Sequence, residues 1–162
     1  MSRPRQQQYG FNLVELMVVV AIVAVLSAVA IPQYQSYVAR AQAARVVSET
    51  GELRTNVEHC VNEGKTALGT GADDCDPGGV GSNLVTYPGA ATSAMQGSTP
   101  PTGMGTSAVT LGGTNPATIE AEFGNTAAAA LHGKKVTWTR DAEGTWTCST
   151  DINAKYRPAG CR

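Results

Sequence analysis

The stretch Arg5–Gln35, RQQQYGFNLVELMVVVAIVAVLSAVAIPQYQ, decides the fold. From Leu16 to Ile31 only Ser27 is polar. Counted back to Phe11, the run reaches about twenty residues, enough for a helix to cross a hydrocarbon core of ~30 Å. Glu15 interrupts it. An ionised carboxylate inside a bilayer costs roughly 2.5 kcal/mol or more, so its presence four residues after Phe11 calls for a reason.

Three readings compete for the stretch. In a secretory signal peptide, Ala28-Val29-Ala30 would be the small-residue cleavage site, but Glu15 lies inside the apolar region and the helical pattern runs on past the cut. A single-span anchor explains the length and leaves Glu15 unexplained. In the third reading the chain is cut between Gly10 and Phe11, ahead of the apolar run. The new amine then lies four residues from Glu15, and unpaired N–H groups and the helix dipole favour a carboxylate in a first turn. An amine from the same chain or another offsets more of the burial cost. Arg3 and Arg5 precede the run and no acidic residue does. That end is therefore expected in the cytoplasm, with everything after Pro32 exported.

After Pro32 the pattern becomes amphipathic. Tyr34, Tyr37 or Val38, Ala41, Ala44, Val47, Val57 and Val61 recur at near-helical spacing, with Leu53 close to the stripe and Arg40, Arg45, Glu49, Glu52, Arg54 and Glu58 mostly opposite. Gly51 is a weak point and Gly64 a C-terminal cap. A helix from Phe11 to about Glu63 would be roughly 80 Å long at ~1.5 Å per residue. No domain of this size covers such a length, so its first half must be surrounded by lipid or by copies of itself.

Beyond the helix, Lys65–Pro116 is dense in Gly, Thr, Ser and Pro and reads mostly as surface loop, with a strand over Thr106–Leu111. ATIEAEF places Ile119, Ala121 and Phe123 on one face. KKVTWTR and GTWTCST flank the hairpin turn Asp141-Ala142-Glu143-Gly144. About four antiparallel strands result, whose apolar face the amphipathic half of the helix covers. The fold class is α+β.

The net charge of −1 gives no argument for a strongly charged partner. Two basic trios, Lys134/Lys135/Arg140 and Lys155/Arg157/Arg162, are candidate patches for DNA, although such runs are usually solvated surface. All four cysteines lie on the exported side, an even number suited to two bridges, with three pairings open. No C-x-x-C occurs, and His59 and His132 lack partners at ligand spacing, so neither a metal nor another cofactor is expected. The acidic stretch GTGADDCDPGG lacks the spacing of a calcium loop. No nucleophile–base set, paired carboxylates or phosphate loop supports an enzyme.

GFNLVELMVVVAIVAVLSAVAIPQYQSYVARAQ resembles the N-terminus of type IV pilins of the short-leader type IVa class. GNTAAAALHGKKVTWTR…GTWTC…AKYRPAGC is similar to the carboxy-terminal region of pseudomonad-like pilins. The resemblance implies a pilin fold with a leader over 1–10, cleavage after Gly10 and N-methylation of Phe11. Glu15 would pair with the amine of a neighbouring subunit, and Pro32 would bend the helix. The chain divides into a membrane and assembly helix over 11–32, its amphipathic continuation over 33–63, a connecting loop over 64–105, and the sheet and C-terminal loop over 106–162. Cys148 and Cys161 would close that loop, leaving Cys60 and Cys75, close in sequence, as the second pair. Asn12 stands where Thr is commonest, and Ala24 where many members carry Gly.

The implied function is a structural subunit polymerising into an extracellular filament for adhesion, twitching motility and DNA uptake. The implied partners are copies of itself, a prepilin peptidase/methylase, an inner-membrane assembly platform with its ATPases, an outer-membrane secretin, and host surfaces or DNA. The alternatives are a minor pilin or type II secretion pseudopilin, and, in another class, a membrane-anchored or secreted β-sheet binding module starting at Met1 or Ile31.

Overall fold

The computed structural model describes residues 12–112 and 116–162. Its elements are a helix, α1 (Leu13–Asn62), and four strands, β1 (Ala108–Leu111), β2 (Ala117–Glu122), β3 (Lys135–Arg140) and β4 (Trp146–Thr150). Two compact units divide the chain, the first ending at Gln35 and the second running Ser36–Arg162.

In the first unit Asn12 caps α1. Its side-chain oxygen accepts the Val14 N–H at 3.3 Å and its carbonyl accepts the Leu16 N–H at 3.2 Å, which places Glu15 in the first turn. The unusual Asn thus serves the helix as a cap. Pro32 has no N–H to give the turn behind it, yet helical structure continues through it.

In the second unit α1 ends in a Schellman motif. Gly64, at φ 75°, donates to the Val61 carbonyl and Lys65 to the Cys60 carbonyl, both at 3.0 Å. The buried stripe is Ser36, Ala39, Ala43, Val46, Thr50, Leu53, Val57 and Cys60. This differs from the stripe expected from sequence. Leu53 and Val57 are buried, but Tyr37, Ala41 and Ala44 are exposed. The helix turns a face of small residues inward because Ala39 and Ala43 let it approach closely, whereas a tyrosine would hold it off.

The sheet is an antiparallel meander in the order β1-β2-β3-β4. Register puts Val109, Ile119, Trp138 and Cys148 in one cross-strand row. Because side chains alternate across a strand, the next row on that face is Leu111, Ala117, Arg140 and Trp146, and Thr110, Thr118, Thr139 and Thr147 point the other way. Two apolar clusters join sheet to helix. Ala39, Ala43 and Val46 meet Ala121, Phe123 and Val136, and Leu53 and Val57 meet Val109 and Ile119.

The segment after α1 is not the surface loop its composition suggests. Leu84, Val85 and Ala94 are buried in the same clusters. Its backbone extends the sheet: Ala94 donates to Ser107 at 2.8 Å and Val109 to Thr92 at 2.6 Å along the outer side of β1. Thr86 likewise donates to Glu122 at 2.9 Å. Isolated ladder bonds need no run of β-formers, so Gly and Thr composition hid them.

Candidate assembly interface and head

Among the described residues, the N-terminal half of α1 carries the longest run of exposed large apolar side chains. Leu13, Val14 and Leu16 to Val20 are 50–71% exposed, and Ile22, Val23, Val25, Leu26, Val29 and Ile31 lie in the same range. Its most apolar window has a mean hydropathy of 2.8, none of it buried within the chain, and it is long and apolar enough to cross a membrane. At ~25 cal/mol per Å², leaving a row of Val, Leu and Ile side chains in water forgoes roughly 1.5–3 kcal/mol each. A surface of this extent and continuity needs a cover. Glu15, exposed in the first turn, carries the formal charge of this half. Gly10 and Phe11 lie outside the described residues.

The head is locked to α1 by polar contacts. Arg140 sits on the inner face of the sheet, and its guanidinium forks onto Glu58 of α1 through Nε at 2.7 Å and Nη2 at 2.9 Å. Trp146, its cross-strand neighbour, donates Nε1–H to the same carboxylate at 3.1 Å. The Arg140 hydrogen bonds hold the Glu58 carboxyl below its ordinary value, with Trp146 helping against partial burial. The same contact raises the pKa of Arg140.

About two turns back along α1, Trp138 donates Nε1–H to the Thr50 hydroxyl at 3.0 Å, which itself donates to the Val46 carbonyl at 2.8 Å. Arg54 stacks over the Trp138 ring at 3.9 Å from its centroid. Both tryptophans therefore find partners on one helix.

Cys60 is bonded to Cys75, tying the start of the connecting segment to the last turn of α1. Cys148 is bonded to Cys161, closing a loop whose Ile152 is buried in the core. Arg162 donates its backbone N–H to Cys148 and accepts from Thr150, both at 3.1 Å, so the end of this loop lies along β4.

The basic trios fare differently. Arg140 is 6% exposed and paired, Lys134 faces Asp151, and Lys135 bridges Glu120 and Glu122, so the first trio forms no open patch. Lys155, Arg157 and Arg162 lie exposed on or beside the disulfide loop. In the acidic stretch, Asp74 and Asp76 accept backbone N–H groups of Gly71 and Gly78 and so shape the loop. Among the described residues no group of three or more His, Cys, Asp or Glu side chains gathers to hold a metal.

The Glu58–Arg140 contact was not legible in the sequence. Glu58 reads as a solvent-face residue and Arg140 as the end of a strand. The only available signal was the two-residue alternation that puts Arg140 on the face of Val136 and Trp138.

An uncovered apolar helix joined to a small disulfide-bonded sheet head defines a class of protein whose helix needs a cover from outside its own chain. Comparison makes the class specific: residues 39–162 match the Pilin family, described as bacterial filament, and residues 5–31 match the prokaryotic N-terminal methylation motif. The chain belongs to the pilin family.

It is 49% identical over 157 residues to a type IV major fimbrial protein FimA of Dichelobacter nodosus, covering 96% of this chain and 97% of that one. A probable minor fimbrial protein of the same organism is 42% identical over 161 residues, covering 97% and 96%. A fimbrial protein of Pseudomonas aeruginosa is more distant, 34% identical over 161 residues, covering 95% and 96%. The crystal structure of a Cs1 pilin chimera shares the fold, with a TM-score of 0.56 at 24% identity over 79% of this chain and 99% of that chain.

Proposed function

We propose that the chain is the major structural subunit of a type IV pilus. It is inserted as an inner-membrane prepilin with a cytoplasmic N-terminus, cut after Gly10, methylated on the Phe11 amine and polymerised through α1 into an extracellular filament. The observation that carries the reading is the uncovered apolar half of α1 with Glu15 in its first turn. Lipid covers that surface before assembly and neighbouring helices cover it afterwards. Glu15 then pairs with the Phe11 amine of another copy, and Pro32 supplies the point at which the helix yields.

The chemistry is done to the subunit: cleavage, methylation, disulfide formation and extraction from the membrane. The enzymes and machinery required are a prepilin peptidase/methylase, an assembly platform with its ATPases and a secretin. Adhesion, twitching motility and DNA uptake are the family roles within reach of such a filament.

Mass spectrometry of chain sheared from cells tests the reading. The expected mature chain starts at an N-methylated Phe11 and is the bulk component of the filament. A start at Met1 or Ile31 overturns it in favour of an anchored or secreted module. The relative named as a minor fimbrial protein gives the second reading its support. A methylated Phe11 on a chain found only in trace amounts in filaments would decide for that reading.

A further inference from the structure

On the β1 side of the head, between α1 and the segment that extends β1, lies a recess of about 160 Å³. Val46, Leu53 and Ala94 line its floor, and Glu49, Glu52 and Val80 stand among its walls. Glu49 is paired with Arg45 at 2.6 Å. Glu52 is exposed and makes no hydrogen bond or ion pair with any described residue, and Val80 is 75% exposed beside it. An apolar floor under an unpaired carboxylate suits one kind of guest: a long aliphatic stem ending in a cation, which lays its methylenes on the floor and its charge at the rim.

The molecule carries such a side chain at its opposite edge. Among its lysines, Lys65 is paired with Glu63, Lys134 with Asp151, and Lys135 with Glu120 and Glu122. Lys155 has no carboxylate partner and makes only a 5.4 Å approach to the Tyr156 ring. It stands exposed on the Cys148–Cys161 loop, which runs along β4, while the recess adjoins β1. Plug and socket therefore lie at opposite edges of one sheet and cannot meet within a chain.

We propose that Lys155 of one copy enters the recess of the next and pairs with Glu52. The inference rests on the filament reading above. A contact between unlike surfaces on opposite edges is heterologous; repeated without closing, it generates an open helical array rather than a dimer. Charge complementarity of this kind sets register between copies more than it adds affinity.

The test uses sheared filaments of the full chain from one culture switched from light to heavy isotope during growth, so that old and new subunits share a membrane and enter the same filaments. A zero-length carbodiimide joins a lysine amine to a carboxylate it already touches, with loss of water. The expected product is a mixed light–heavy peptide pair linking Lys155 to Glu52 or Glu49. Separately, Lys155→Glu and Glu52→Lys should each lower recovered filament roughly tenfold while the subunit accumulates in the membrane with both disulfides intact, and the double reversal should restore it.

Links from Glu52 to Lys65, Lys134 or Lys135, or single reversals that leave filament yield unchanged, overturn the proposal. So does rescue of Glu52→Lys by Arg162→Glu in place of Lys155→Glu, since Arg162 would then be the guest. Unmodified chain that forms no filament refutes the filament reading itself, a result distinct from all of these.

Discussion

Arg140 is the residue on which the head turns. It carries a full charge at a position 6% exposed, and the sheet offers it no carboxylate from within its own row. Glu58 supplies the partner from α1, so replacing it leaves a buried guanidinium short of its fork. Breaking a buried pair from one side costs ~3–5 kcal/mol, and because Glu58 keeps 34% of its side chain in solvent the expected loss for Glu58→Ala is smaller, about 2 kcal/mol. Urea unfolding of the detergent-solubilised chain measures it. The contact also has a pH signature. Since the folded pKa of Glu58 is lowered, its contribution is fully present above the unfolded value near ~4.3 and is lost as pH falls through the folded value. Glu58→Ala should therefore flatten the acid limb of the stability curve below about pH 5 while leaving the neutral region parallel to wild type. Gly51 gives the opposite kind of test. A methyl group there would sit 3.6 Å from the Trp138 ring and 3.7 Å from the Arg54 guanidinium, ordinary contact distances. Gly51→Ala should thus add about 0.5–1 kcal/mol by restoring a helix former inside α1.

At the scale of elements, what was legible depended on how much of each signal was local. α1, its Gly64 cap and the Asp141–Gly144 hairpin were readable because a long period and a turn residue each act on their own neighbourhood. Ile119, Ala121 and Phe123 on one face followed from strict alternation. The inward stripe of α1 was not readable in detail, because Tyr37 and Ala41 recur at the same spacing as Ala39 and Ala43. Only the close approach of the sheet decides between the two faces. The structure of residues 64–105 was hidden for a related reason: single bridges such as Ser82 to Gly105 and Val85 to Phe123 are tertiary pairings with no sequence period. Two disulfides hold what composition leaves loose. Removing the Cys148–Cys161 bridge by Cys148→Ser with Cys161→Ser frees a loop of sequence separation 13. Chain-entropy arguments then give a loss of roughly 3 kcal/mol. Ile152 and the Arg162 backbone contacts remain to hold part of the loop, so proteolysis should cut first within 153–160 while the sheet survives. A double variant as stable as wild type would show that the bridge is redundant with that packing.

For the molecule as a whole the deciding balance is between lipid and copies of itself as cover for α1. Both hide the Val, Leu and Ile side chains between Leu13 and Ile31 about equally well, because a hydrocarbon tail is as apolar as a leucine and gives helices little hydrophobic reason to leave it. Apolar burial therefore does not choose the filament, and on the proposed reading the choice falls to the polar minority. Glu15 in a lone bilayer helix bears a cost of roughly 2.5 kcal/mol or more, which a positive amine on an adjoining helix, as proposed, would offset. Glu15→Leu removes that cost along with the pairing, so the two environments predict opposite results. The variant should enter the membrane at least as well as wild type, since it is more apolar, and should still be cleaved before Phe11. Filament recovered by shearing should fall at least roughly tenfold when the variant is the sole subunit. Mixed with an excess of wild-type chains it should be carried into filaments, because its own amine still meets a neighbour's Glu15. Quantifying variant and wild-type peptides in sheared filaments against the membrane pool reads all of these outcomes. Unchanged filament yield from Glu15→Leu alone would mean that helix packing without the ion pair suffices to draw the subunit out of lipid.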